Sequence, residues 1–108
     1  MIDQLFENNG IFTLDSNGNF KSFDAEKILG YKEDELIGKR FTKVLPKKFL
    51  PAALELFQRA IKSKSSTAEI EFYNREGKLV AAEIKGVALR EHGKITGFKC
   101  VVKKGEKK

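Results

Sequence analysis

Apolar and polar side chains alternate through the last part of the chain, which is the pattern of half-buried β-strands. The alternation runs over residues 67–73, 78–89 and 94–103. Turn-forming residues separate these runs, with Asn74-Arg75-Glu76-Gly77 between the first two and His92-Gly93 between the last two. The pattern therefore predicts three consecutive strands joined by tight turns in an antiparallel meander.

A β-hairpin is predicted near the start of the chain. Side chains over residues 11–14 alternate in direction, and the sequence Asp-Ser-Asn-Gly follows at 15–18. Asn-Gly is a strong signal for a hairpin turn, since both residues tolerate positive φ angles. A second strand is predicted over residues 19–23.

The segment from Asp24 to Lys39 predicts two short helices rather than one long helix. Asp24 is placed to cap the first, which carries Ile28 and Leu29, and Gly30 to end it in a left-handed conformation. A second turn carries Leu36 and Ile37 before Gly38. Interrupted helices of this kind are expected to wrap around a core.

A longer amphipathic helix is predicted after Pro51, a residue suited to a first helical turn. Leu54, Phe57 and Ile61 recur at helical spacing through to about residue 62 and predict the face toward the core, with Ala53 and Ala60 beside them. Before it, residues 40–45 place Phe41, Val44 and Leu45 at helical spacing, and Pro46 ends that turn.

At the N-terminus, Ile2, Leu5 and Phe6 fall at i, i+3 and i+4, so residues 1–9 predict a short helix with one apolar stripe. That stripe needs burial. It either folds back over the sheet of its own chain or packs against the same segment of a second copy.

Strands on both sides of a helical block predict an α+β domain with helices on one face of an antiparallel sheet. That order of elements, with the spacing of Gly30-Tyr31, Glu35-Leu36 and Gly38, resembles the PAS domain family over nearly the whole chain. The resemblance implies a five-stranded sheet in the order 2-1-5-4-3. It divides the chain into a flanking helix (1–9), a PAS core (10–103) and a disordered lysine-rich tail (104–108).

Matching the strands to the family implies an apolar lining between the sheet and the helices. These candidate ligand-binding residues are Phe12, Leu14, Ile28, Leu36, Phe41, Leu45, Leu54, Phe57, Ile61, Ile70, Phe72, Ile84, Gly86, Ala88, Phe98, Cys100 and Val102. The small Gly86 and Ala88 leave room for a small apolar ligand. The favoured alternative is a closed core, because nine Phe residues supply the bulk to fill that room.

The cofactors of the family need residues that this chain does not place correctly. Haem-binding members use an axial ligand such as a histidine on the long helix, whereas the only histidine here is His92, at a hairpin tip. Flavin-binding light sensors carry a reactive cysteine before that helix and a glutamine on the last strand; here the corresponding sequence is Arg40-Phe41-Thr42, and Val102 takes the glutamine position. Cys100 also lies too far along the chain for a cysteine-linked chromophore. Haem and cysteine-adduct flavin are disfavoured, and the cofactor is unknown or absent.

Chemistry at single residues is also disfavoured. If Lys99 points outward, Cys100 points inward and behaves as a small buried hydrophobe rather than as a redox sensor. His92 has no evident nucleophile in register, and the chain has no Cys-x-x-Cys pair. The sequence therefore predicts neither an enzyme nor a metal site.

The formal net charge of +6 raises the alternative of a basic nucleic-acid-binding module. Acidic residues are mixed through the chain, however, and no helix carries a continuous basic stripe, so we expect no nucleic-acid partner. The chain opens without a signal sequence and has no long apolar run. We expect a cytoplasmic protein without direct membrane contact.

The resemblance implies a sensor or interaction domain of a signal-transduction protein, such as a sensor kinase or a transcriptional regulator. The resemblance also implies that the domain binds a small apolar ligand or serves as a dimerisation module. The expected partners are a second copy, with Ile2, Leu5 and Phe6 as the candidate interface, and an output domain in a two-component or related pathway.

Overall fold

The computed structural model describes residues 9–63 and 65–105. Its five strands are β1 (Asn9–Asp15), β2 (Phe20–Asp24), β3 (Ser66–Tyr73), β4 (Leu79–Glu91) and β5 (Lys94–Lys104). Its α-helices are α1 (Glu26–Leu29), α2 (Glu33–Leu36) and α3 (Leu50–Lys62), and two 3-10 turns, Phe41–Val44 and Lys47–Phe49, precede α3. The predicted hairpin, interrupted helices, long helix and meander are all present.

The strands form one antiparallel sheet in the order β2-β1-β5-β4-β3, as the resemblance implied. The first and last strands of the chain meet at its centre, where Phe12 lies opposite Cys100. Gly97 stands opposite Asp15 at the end of this pairing. A Cβ atom at Gly97 would overlap the backbone of Leu14, so this position requires glycine.

The two short helices end as the sequence predicts, but the first does not begin as predicted. Gly30 adopts φ 84° after α1, and Gly38 adopts φ 82° shortly after α2. The prediction that Asp24 caps α1 was wrong. The capping position is Ala25, and no side chain bonds the first turn there. In a helix of four residues, backbone bonds from Ile28 and Leu29 to the carbonyl of Ala25 form the start of the turn.

The long helix α3 begins with Pro51 in its first turn and ends at Lys62, as predicted, but it presents a different face to the sheet. Leu54 and Ile61 are 48% and 40% exposed, so their predicted inward position was wrong. The buried residues of α3 are Ala53, Leu56 and Ala60. The two alanines suit a surface that lies close against another layer, because their side chains are small.

The core lies between the inner face of the sheet and the helical segments. Its largest fully buried side chains are those of Leu14, Leu29, Leu36, Val44, Ile84, Cys100 and Val102. Ordered strand structure reaches Asn9 at one end and Lys104 at the other, one residue beyond each predicted bound of the core. The amide of Gly105 also bonds the carbonyl of Ala81. The apolar stripe of Ile2, Leu5 and Phe6 lies outside the described residues, as does the tail beyond residue 105.

Candidate functional site

The candidate site is the space between the inner sheet face and α3. Of the proposed lining residues, twelve are buried: Phe12, Leu14, Ile28, Leu36, Leu45, Ile70, Phe72, Ile84, Gly86, Phe98, Cys100 and Val102. Phe41, Phe57 and Ala88 are partly exposed, and Leu54 and Ile61 are on the surface. The strand residues therefore face inward as predicted, because the alternation of a strand fixes their side.

The room expected above Gly86 is filled by a residue that sequence reasoning missed. A Cβ atom built on Gly86 would lie 3.5 Å from Cγ of Leu56, which is ordinary van der Waals contact. Leu56 is 3% exposed and comes from the inward face of α3. The small residue on the sheet thus accommodates a large residue on the helix.

Aromatic rings fill the neighbouring part of the same space. The ring centroids of Phe57 and Phe98 are 4.7 Å apart, and those of Phe41 and Phe57 are 5.4 Å apart. These contacts join α3 to β5 and to the 3-10 turn before α3. Favourable pairing of this kind stabilises the closed arrangement.

A second aromatic cluster closes the β1-β2 side of the core. Phe20 and Phe23 pack against each other at 5.7 Å, and both contact Phe12. Neither residue is among the predicted lining residues, and their spacing of three does not follow strand alternation. The structure explains this spacing by a register irregularity between Thr13 and Leu14 in the pairing of β1 with β2.

Cys100 lies at the centre of the inner face and has no exposed surface. Burial raises the pKa of its thiol to about 12, so the group stays protonated at neutral pH. A protonated, inaccessible thiol is a poor nucleophile. The predicted inward orientation of Cys100 is confirmed.

Other candidates for chemistry lie apart from this site. His92 has φ 53° and sits in the exposed turn between β4 and β5. Within residues 9–63 and 65–105, no group of three or more His, Cys, Asp or Glu side chains is arranged to hold a metal ion. Over the same residues, no helix has both the length and the apolar character needed to cross a membrane.

The described cavities lie at the rim of the fold. One of about 880 Å³ lies where β1 begins and β2 ends, between Gly10, Asp24 and Val101. Another, of about 210 Å³, lies beside Phe49, the middle of β3, the first part of β4 and Gly105 after β5. A third, of about 420 Å³, lies between α2 and the β3-β4 turn. The proposed lining residues contribute only Ile70 and Leu36 to these cavities.

The outer face of the sheet carries a half-exposed apolar diagonal across its three central strands. It consists of Ile11 on β1, Val101 on β5, and Val87 and Leu89 on β4. Ile11 is 42% exposed and lies directly opposite Val101. We call these four residues the outer diagonal.

Charges of both signs flank the outer diagonal. Lys85 pairs with Val101, and Lys99 pairs with both Thr13 and Val87. Next to this row, Lys103 stands opposite Glu83, which in turn stands opposite Glu69. The outer face therefore combines apolar surface with charges of both signs.

The profile of the PAS domain family matches residues 8–103 of the chain. This match covers most of the sequence, and the strand order agrees with it. The chain therefore belongs to the PAS domain family, whose members are sensory and interaction modules. Comparison with curated proteins finds no match.

Solved structures agree on the fold. A PAS domain from Colwellia psychrerythraea superposes with a TM-score of 0.81 at 16% identity, covering 95% of this chain and 92% of that one. The PAS-B domain of Drosophila melanogaster Cycle, with bound ethylene glycol, gives a TM-score of 0.74 at 15% identity, covering 89% and 97%. A light-oxygen-voltage domain studied with a flavin analogue gives 0.74 at 16% identity, covering 97% and 84%.

Proposed function

We propose that this PAS domain is an interaction module of a cytoplasmic signalling protein, such as a sensor kinase or a transcriptional regulator, and that it acts as a homodimer. The observation that carries the proposal is the contrast between a filled interior and an outer diagonal with half-exposed apolar residues. In this proposal the domain itself catalyses no reaction and holds no haem or cysteine-bound flavin. A change in dimer geometry is what a joined output domain senses.

A second copy of the chain is the partner that fits the outer face best. In a two-fold dimer the same patch meets itself, so it must be complementary to itself. The outer diagonal satisfies this condition for apolar contact, and the flanking Lys85, Lys99, Glu69 and Glu83 offer both signs for pairing. The predicted stripe of Ile2, Leu5 and Phe6 adds further apolar surface to that interface.

The test compares two exposed isoleucines on different surfaces. Ile11 on the outer diagonal and Ile37 beside α2 are 42% and 41% exposed. Replacing either one by lysine therefore removes a similar amount of exposed apolar surface. We expect sedimentation to show a dimer for the unaltered chain and for Ile37→Lys, but a monomer for Ile11→Lys. A monomeric unaltered chain, or equal effects of the two variants, would contradict the proposal.

A small apolar ligand is the second candidate function. It is supported by the partial exposure of Phe57, whose ring packs against both Phe98 and Phe41 at the edge of the core. Native mass spectrometry of freshly purified protein distinguishes the two functions. A retained small molecule favours the ligand-binding function, whereas a bare dimer favours the interaction module.

A further inference from the structure

The sequence between α2 and the middle of α3 is strongly basic. From Leu36 to Leu54 it contains Lys39, Arg40, Lys43, Lys47 and Lys48 and no acidic residue. All five cations are exposed. Such a local excess of positive charge is distinct from the mixed charge of the outer sheet face.

Two of these lysines converge with a third cation on one concavity. Lys39, Lys43 and Arg75 line the cavity of about 420 Å³ together with Tyr31, Glu35 and Leu36. We call this the basic cleft. Within the described residues, neither Lys39 nor Lys43 forms an ion pair, so their charges are available.

Backbone hydrogen bonds hold the main chain at each of the three cationic residues. The carbonyl of Lys39 accepts a hydrogen bond from the amide of Phe20 at 2.9 Å, and the amide of Lys43 bonds Arg40 within a 3-10 turn. The amide of Arg75 donates to the carbonyl of Leu29 at 2.8 Å. A ligand therefore need not order these backbones, which lowers the cost of binding.

Tyr31 ties the two sides of the basic cleft together. Its hydroxyl lies 3.1 Å from the carbonyl oxygen of Tyr73 and 3.0 Å from that of Asn74, and it donates to this pair at the end of β3. Its ring packs edge-on against Phe23 at 6.4 Å. The hydroxyl and the ring of Tyr31 thus both make structural contacts across the basic cleft.

The basic cleft already holds one carboxylate of the chain itself. Oε2 of Glu35 accepts a hydrogen bond from Nε of Arg75 at 2.9 Å, and Oε1 accepts one from the amide of Lys32 at 2.8 Å. These bonds lower the pKa of Glu35, and the bond from the amide of Lys32 has the larger effect. The basic cleft therefore has three positive charges and one negative charge among its lining residues. The adjoining cavity adds Lys32 and Asp34, whose opposite charges offset each other.

We propose that the basic cleft is a docking site for a carboxylate-rich segment of a partner protein. Incoming carboxylates pair with Lys39 and Lys43 and compete with Glu35 for Arg75. The three cations around one cavity of about 420 Å³, and the carboxylate that Arg75 already binds there, favour an acidic peptide over a nucleic acid. Docking here leaves the outer diagonal open, so this site is additional to the proposed dimer.

The test titrates the purified full chain with a capped oligoglutamate peptide and follows backbone amide shifts by NMR. We expect shifts centred on residues 31–43 and 75, with weaker binding as salt rises from about 50 to about 200 mM. Replacing Lys39 and Lys43 by Gln is expected to weaken binding about three- to tenfold. The control pair Lys62→Gln with Lys94→Gln removes the same charge elsewhere and is expected to leave binding nearly unchanged.

A matched pair of carboxylates tests the competition directly. Glu35 and Glu55 both pair with an arginine, Glu35 with Arg75 and Glu55 with Arg59 at 2.8 Å. Glu35→Gln is expected to tighten peptide binding about twofold or more because it releases Arg75, whereas Glu55→Gln is not. Far-UV circular dichroism verifies that the variants are folded.

Several results would overturn the proposal. These are equal weakening by the two lysine pairs, shifts spread evenly over the surface, and no binding at millimolar peptide. Tighter binding of single-stranded DNA than of peptide at the same residues would replace it with a nucleic-acid site.

Discussion

The two faces of the sheet use the same strands but differ in how completely they are covered. On β5, Cys100 and Val102 face inward without exposed surface, while Val101 between them remains partly exposed on the outer diagonal. The inner face is covered by α3 and the shorter helical segments, whereas the outer face presents apolar and charged residues side by side. Change at the inner face therefore requires repacking, while the outer face can gain contacts without loss of the core.

The largest expected effect concerns the residue that closes the inner face. Leu56→Ala removes the side chain that lies over Gly86, and we expect a loss of about 2–4 kcal/mol in the free energy of unfolding. Leu54→Ala removes the same atoms from a side chain that is 48% exposed and is expected to cost less than about 1 kcal/mol. Urea denaturation measures both.

Equal losses from the two leucine variants would show that α3 turns a different face toward the sheet. If Leu56→Ala also acquires affinity for small apolar compounds, the cavity left above Gly86 has become a binding site. The Leu56 side chain would then be what makes the core of the unaltered chain filled rather than ligand-binding.

The strands other than β2 were predictable in detail because their period of two leaves only two choices of face. Once Ile70 and Phe72 are assigned inward, Glu69 and Glu71 must face outward. The turns were equally predictable, because glycine is the residue that most easily adopts a positive φ angle. The structure has a positive φ angle at Gly18, Gly30, Gly38, Gly77 and Gly93. Local rules determine these features.

The face of α3 was not predictable by the same reasoning. Neighbouring residues on a helix differ by about 100°, so the stripe of Leu54, Phe57 and Ile61 and the stripe of Ala53, Leu56 and Ala60 are both apolar and adjacent. Ala53 and Ala60 are buried, as predicted, but the third buried residue is Leu56, while Phe57 is only partly buried at the edge of this face. The two alanines let the helix approach the sheet, and Leu56 fits over Gly86. That choice depends on the shape of the opposite layer, which the helix sequence does not contain.

Two neighbouring valines test the contrast between the faces with one chemical change. Val102→Thr places a hydroxyl group in the core, where we expect a cost of about 1–3 kcal/mol in the free energy of unfolding because the group loses its water. Val101→Thr makes the same change on the outer face and is expected to cost no more than about 0.5 kcal/mol. Thermal and urea unfolding of both variants supply the measurement.

The valine pair also reports on association. If the outer diagonal forms the dimer interface, Val101→Thr weakens the dimer in sedimentation experiments although its monomer is hardly destabilised. Similar unfolding costs for both variants would mean that the outer face is as fully covered as the inner one.

Near neutral pH the smallest expected effect is a pH dependence that comes from Cys100, because it develops only above pH 9. Its pKa is raised from 9 to about 12 in the folded chain, so above pH 9 the unfolded chain releases the thiol proton while the folded chain retains it. Stability therefore falls with rising pH across this window, by at most about 1.4 kcal/mol per pH unit, and below pH 9 the contribution is fully present.

The variant Cys100→Ala removes this dependence. The free energy of unfolding in urea is measured for both chains at each pH, and their difference cancels the titration of Lys and Tyr groups. Parallel curves between pH 8 and about 10.5 would mean that the thiol ionises as readily in the folded chain as in the unfolded one. Water would then reach the inner face, and the contrast between the two faces would be smaller than the packing indicates.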